Sequence, residues 1–175
     1  GLNEFIEHSF SQIVQAIPNT VLVIIGDTPS QSLNKNLQSK ELILSTAKKH
    51  QIEHHIIFTG NISDDNILSS FYYLADLHVF PVKHIPDDPE GFGMVAIEAA
   101  AHGTPTIAFA TGGIVDAVQN HRTGYLVENK DYQDFTHKTI RFLKEESLIS
   151  QQDCQTYAEK FAWYNLNSKF ENQFF

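Results

Sequence analysis

Two glutamates, Glu90 and Glu98, bracket most of the stretch "PEGFGMVAIEAAAHGTP" at positions 89–105. The first stands in a glycine-broken segment; the second falls among Met, Val, Ile and Ala at helical spacing. If residues 90–98 were wholly helical, the carboxylates would lie about 80° apart around the axis and ~12 Å apart along it. Gly91 and Gly93 instead predict a tight loop, with Glu90 held above the start of the helix. Glycines there let the backbone approach a ligand closely, and the first helical N–H groups lack intrahelical acceptors. Such a helix start favours phosphate. A carboxylate at Glu98, among alanines, is tolerable only when paired or hydrogen-bonded. Acceptors on either side of an anion-attracting turn suit a ligand with hydroxyls at both ends and phosphates between them. A nucleotide-sugar has that layout.

The remaining residues must supply elements that hold this stretch. The 175 residues are 42% hydrophobic and 19% charged, enough for one domain with a full core. The net charge of −9 speaks against a nucleic-acid surface. A single cysteine, Cys154, excludes an internal disulfide and fits a reducing cytoplasm. The longest apolar runs, "TVLVIIG" and "GMVAI", fall far short of the ~20 residues of a membrane span. The opening "GLNEFIEHSF" carries charges where a signal peptide needs an apolar core. Residues 2–17 already read as an amphipathic helix, which suggests a piece of something longer.

After Pro18-Asn19, "TVLVIIGD" reads as a strand buried on both faces. A helix over about 37–50 follows, then a strand at 55–60. A helix from Ser63 to Tyr73 comes next, with Ser63 as its N-cap. Strands at 76–81, 105–110 and 124–128 alternate with the Glu98 helix and the short segment "GGIVDAVQN". From Asp131 onward the pattern is two or three helices rich in Phe and Tyr. This alternation predicts an α/β domain with a mostly parallel sheet and flanking helices. Ligands of such sheets bind beyond the carboxyl ends of the strands. Gly26-Asp27, Gly60-Asn61, Pro81 through Gly93 and Thr111–Gly113 all fall at such ends.

These motifs, in this order, resemble the donor-binding C-terminal domain of retaining GT-B-type glycosyltransferases of family 4, the glycosyl transferases of group 1. The similar segments are Glu90-Gly91-Phe92-Gly93, Glu98, His102-Gly103-Thr104-Pro105, "VLVIIGD", "IIFTGNIS", "ADLHVFPV" and "TGGIVDAVQNHRTGYLV". The resemblance implies the Rossmann-like C-terminal half of a GT-B fold, and a sugar transfer from a nucleoside diphosphate to an acceptor hydroxyl with retention. It implies that Glu90 is the catalytic candidate and, with the backbone of Gly91, Phe92 and Gly93, holds the donor sugar. Met94 and Val95 would offer amides to the diphosphate, and Gly26 would border it. Glu98 would take the ribose hydroxyls, and the turn Gly60-Asn61-Ile62 would lie against the base. No cofactor and no metal ion are expected.

The chain departs from the family pattern at Thr28, where a glycine is usual, and at Asp116, where a glutamate is usual. By this resemblance it is N-terminally truncated. The first strand, an Arg and a Lys that face the donor phosphates, and the acceptor-binding domain would all lie upstream, so the fragment alone is expected to be inactive. Residues 1–160 would form the nucleotide-sugar unit, and 161–175 a helix that crosses to the other domain. The acceptor, a glycan, lipid or small molecule, would bind through the absent half, as would any peripheral membrane contact. The competing readings are a GT-B nucleotide-sugar epimerase and a non-catalytic binding module. Asp87-Asp88 reads as a solvated loop rather than a cation site, and Lys83 and His84 as minor candidates for a phosphate contact. Gly112-Gly113 would form part of the site rim, and Cys154 would be inert.

Overall fold

The computed structural model describes residues 1–27, 38–84, 91–145 and 149–162. Glu90, Asp87-Asp88, Thr28 and the aromatic residues from Trp163 on lie outside the described residues. The chain begins with a helical stretch: α1 (Leu2–Phe5), a π-helical segment (Ile6–Phe10) and α2 (Ser11–Ala16). Phe5, Ile6, Phe10, Ile13 and Val14 are buried along it, as their three- and four-residue spacing requires. Strand β1 (Leu22–Ile25) leads to α3 (Lys40–Lys49), capped by the Ser39 hydroxyl, which accepts from the Leu42 N–H at 3.2 Å. Strand β2 (Ile56–Gly60) and α4 (Asp65–Leu74) follow, then β3 (His78–Phe80), α5 (Met94–Ala101), β4 (Thr106–Phe109), α6 (Ile114–Ala117) and β5 (Gly124–Val127). The end is helical, with α7 (Tyr132–Lys144), α8 (Gln151–Ala158) and a 3-10 turn at Glu159–Phe161.

Ser63 is not the cap of α4. Asp64 is, and its Oδ1 accepts from the N–H groups of Asn66 at 2.8 Å and Ile67 at 3.3 Å. A carboxylate at that position both satisfies orphan donors and opposes the positive end of the helix, so it displaces the serine one residue earlier.

Every ladder between named strands is parallel, but the strands form two sets. β1 pairs with β2, with Leu22 opposite Ile56 and Ile24 opposite Phe58. Separately, β3 pairs with β4 and β4 with β5, with His78 opposite Thr106 and Thr106 opposite Gly124. One apolar layer joins the two sets. Leu22, Ile24 and Phe58 from the first, and Leu77, Val79, Ile107 and Phe109 from the second, pack with Phe5, Phe10, Ile13 and Phe135. Phe135 meets Phe5 edge-on at 5.3 Å and Phe109 at 5.1 Å, the offset geometry that aromatic pairs prefer.

The central strand β4 is buried at every residue. Its odd positions, Ile107 and Phe109, face that layer, while Ala108 faces a second cluster of Ala96, Ile97, Ala100, Ile114, Ala117 and Cys154. This is the period of two expected of a strand covered on both faces. β1 differs from the same expectation. Val21, Val23, Ile25 and Ile57 stay between 39% and 51% exposed, all on one side of the β1–β2 pair. α4, the helix that follows β2, buries none of its residues fully.

Candidate functional site

The sequence-predicted residues gather at strand ends in two groups. At the end of the first sheet, the Gly26 N–H donates to the Gly60 carbonyl at 2.9 Å, and the Asp27 N–H to Asn61 Oδ1 at 3.2 Å. The ends of β1 and β2 are thereby closed on each other, with the Asn61 side chain spent on the backbone of Asp27. Ile62 follows, half-buried.

The second group lies beyond β3 and β4. Gly93 caps α5 in the left-handed region, at φ 73° and ψ 49°, where a side chain would be strained. It also brings no side chain that could cap the helix. The Ala96 N–H donates to the Gly93 carbonyl at 2.9 Å, while the Met94 and Val95 amides have no acceptor within the helix, and both residues are exposed. Gly113 presses from the other side. A Cβ there would stand 2.0 Å from the Gly91 carbonyl oxygen and 2.9 Å from Phe92 Cα. The loop Gly91–Gly93 and the loop Gly112-Gly113 are therefore in backbone contact. The Thr111 hydroxyl donates to the Val82 carbonyl at 3.2 Å, which fixes the second loop to the end of β3. The Phe92 ring meets that of Phe161, with centroids 5.1 Å apart.

Glu98 sits one turn into α5, half-buried. Its Oε2 accepts the hydroxyl proton of Tyr72 at 3.0 Å. Burial, followed by the adjacent Glu98 charge, raises the Tyr72 phenol well above its ordinary pKa, so it stays a donor. Sequence reading required a partner for Glu98 but did not find Tyr72. The run "FYYLAD" offers Phe71, Tyr72 and Tyr73 in succession, and periodicity alone does not say which one faces α5.

Lys83 is not directed at this rim; it forms an ion pair with Glu4 of α1. Burial works to raise the Glu4 pKa, but the Lys83 ammonium, a backbone N–H and the Gln38 amide outweigh it and hold the carboxyl at about 2. The His84 N–H donates to Asn129 Oδ1 at 3.4 Å. Cys154 is buried, and burial pushes its thiol up to about 11, consistent with an inert side chain. Among the described residues no group of three or more His, Cys, Asp and Glu could hold a metal ion. No helix there is long and apolar enough to cross a membrane.

Parallel strands, flanking helices and a helix start at the strand ends define an α/β domain of the kind found as the C-terminal half of GT-B glycosyltransferases. Its solved neighbours include the C-terminal domain of a group 1 glycosyl transferase, LpcC, from Francisella tularensis, with a TM-score of 0.66 and 26% identity over 96% of this chain and 78% of that one. Sucrose-phosphate synthase from Thermosynechococcus elongatus superposes with a TM-score of 0.73 and 26% identity, over 96% of this chain and 42% of that one. The profile of the family "Glycosyl transferases group 1" matches residues 1–161, and the chain belongs to that family. Among curated relatives, the lipopolysaccharide 1,2-N-acetylglucosaminetransferase of Salmonella typhimurium is 30% identical over 168 residues, 94% of this chain and 42% of that protein. The capsular polysaccharide glycosyltransferase CapM of Staphylococcus aureus is 30% identical over 85% of this chain and 34% of that protein. The chain thus spans less than half the length of these relatives.

Proposed function

We propose that this chain is the donor half of a retaining family 4 glycosyltransferase, which binds a nucleoside diphosphate-sugar for transfer to an acceptor hydroxyl. The observation that carries the reading is the uncapped start of α5 behind the Gly91–Gly93 loop, with the Glu98 carboxylate one turn further along. Diphosphate oxygens would accept from the Met94 and Val95 amides, where the helix dipole adds to the attraction. Glu98 would accept from the ribose hydroxyls. Glu90 and the backbone of Gly91, Phe92 and Gly93 would hold the sugar, with Glu90 closest to the chemistry. Gly26 would border the diphosphate, and Gly60, Asn61 and Ile62 the base. As the bond from the anomeric carbon to the diphosphate breaks, the acceptor oxygen bonds to that carbon and its proton leaves toward the departing phosphate, whose developing negative charge these amides would face. Positioning and electrostatics are then the contribution of this half, without a metal ion or other cofactor. A neighbour described in complex with UDP, Anabaena HepE, has the same fold, with a TM-score of 0.70 at 21% identity over 95% of this chain. UDP is therefore the first nucleotide to try.

We also propose that residues 1–160 form the nucleotide-sugar unit, with 161–175 reaching toward an acceptor domain, in a cytoplasmic protein. In this reading the sheet takes one more parallel strand, between β1 and β3. The split of the ladders between β1 and β3 supports it. The acceptor, any membrane contact and turnover would then require residues outside 1–175.

Thermal melting with UDP, GDP and ADP tests the donor reading. At ten times the dissociation constant, binding adds ~1.4 kcal/mol, a rise of roughly 3–6 °C for a chain of this size. A rise with one nucleotide that Glu98→Ala abolishes supports the reading. A rise that survives the substitution removes Glu98 from the site.

A further inference from the structure

We infer that Tyr72 is a positioning residue, which holds Glu98 by one carboxylate oxygen so that the other is presented to the ligand. The inference rests on the donor reading of Glu98. Among the described residues, the Tyr72 hydroxyl is the side-chain group that meets the Glu98 carboxylate, through Oε2 at 3.0 Å.

Tyr72 is itself fixed at several points. The Thr104 hydroxyl donates to its carbonyl at 2.6 Å. His102 stacks on its ring with centroids 5.1 Å apart and planes 21° apart. The Nδ1 of His102 lies 2.7 Å from the Glu98 carbonyl, a bond in which the ring N–H donates, so this imidazole is anchored to the helix that carries Glu98. On its other side Tyr72 meets His78 edge-on at 6.4 Å, and His78 Nδ1 is 3.1 Å from Thr106 Oγ1 in the central strand. A chain of contacts thus runs from β4 through His78 and Tyr72 to the carboxylate.

A glutamate on a helix flank has three rotatable side-chain bonds, and freezing them on binding costs affinity. A partner that fixes Oε2 beforehand removes much of that cost and orients Oε1. The phenol suits the task because it donates and stays protonated. A donor at this place serves a ligand group that donates to the carboxylate, as a vicinal diol does, and not one that accepts. That makes the pair a selector for ribose over a sugar without hydroxyls.

The test is titration calorimetry on the whole chain with UDP and 2′,3′-dideoxy-UDP, and with the matching GDP and ADP pairs. Wild type, Tyr72→Phe, Glu98→Gln and the double variant are compared. Phenylalanine keeps the stack on His102 and removes only the hydroxyl, so Tm should stay within about 3 °C of wild type. The expected result is a roughly 3–10-fold loss of affinity for the ribonucleotide, with the dideoxy nucleotide bound as before. Tyr72→Phe should add nothing in the Glu98→Gln background, the signature of two groups acting as one. If Tyr72→Phe binds both nucleotides as wild type does while Glu98→Gln loses the preference for ribose, the positioning role is overturned and the donor reading stands. If wild type shows no preference for ribose in any pair, Glu98 does not read ribose, and both fall together.

Discussion

The contact between the two glycine loops gives the sharpest test of how the rim is built. Gly113 has φ −76° and ψ 0°, a conformation open to alanine, so the whole cost of Gly113→Ala is steric. The new Cβ would stand 2.0 Å from the Gly91 oxygen, against roughly 3.3 Å for an ordinary C···O contact. One loop must therefore move by about 1.3 Å. Overpacking of this kind costs about 1–3 kcal/mol, which lowers Tm by roughly 2–12 °C at this chain length. The loop that yields leads directly into the Met94 and Val95 amides, so nucleotide affinity should fall by roughly 10–100-fold, the value of one lost bond to a charged group. Gly91→Ala is the control, because a Cβ at Gly91 meets no described atom within 4 Å. It should melt within about 2 °C of wild type. Differential scanning calorimetry and titration with UDP read both quantities. If Gly113→Ala melts and binds as wild type does, or if Gly91→Ala suffers equally, the two loops do not support each other as described.

Two further outcomes are expected. Phe135, fully buried between Phe5 and Phe109, should cost about 3–5 kcal/mol when cut to alanine, measured by urea unfolding with an unchanged m-value. Burial lowers the His78 pKa from 6.5 to about 4. The unfolded chain therefore takes up a proton first, and stability present above pH 6.5 is lost as pH falls toward 4, by up to about 3 kcal/mol. Glu4, held at about 2 instead of 4.5, acts in the same direction between pH 4.5 and 2, by less than about 1 kcal/mol because its pair is solvated. Acid titration of His78→Asn should flatten the upper window and leave the lower one.

Much of this molecule could be read from its sequence. β4 was legible because "TIAF" is apolar, β-branched or small throughout, and a strand buried on both faces asks for nothing else. The glycine loop and α5 were legible because Gly91 and Gly93 break the pattern immediately before an unbroken apolar helix. The neighbours of β1 were not legible. Its apolar run is the same kind as that of β4, yet the structure leaves one side open, because side-chain composition states what a strand is suited to and not what lies beside it. The cap of α4 was missed by one residue, since Ser63 and Asp64 are both good acceptors and only the path of the chain chooses between them. Nor could spacing reveal the π-helical segment at Ile6–Phe10. The apolar positions fit a regular helix equally well, and the wider turn is a backbone adjustment inside the packed layer. Tyr72 was hidden for a related reason: its importance lies in a contact across 26 residues of sequence.

The ring of Phe92 against Phe161 ties the middle of the chain to its last described turn. Phe161 in turn meets Tyr157 of α8 at 5.3 Å, and the Tyr157 hydroxyl donates to the Asp116 carbonyl at 2.7 Å, just beyond the second glycine loop. α8 and the turn after it thus work as a brace, fastened to both loops of the rim by side chains that lie more than forty residues away from them in sequence. Anyone shortening this protein before residue 161 would be removing the fastening of the rim. A shortened version could keep every residue that faces the nucleotide and still present those residues on a slack frame.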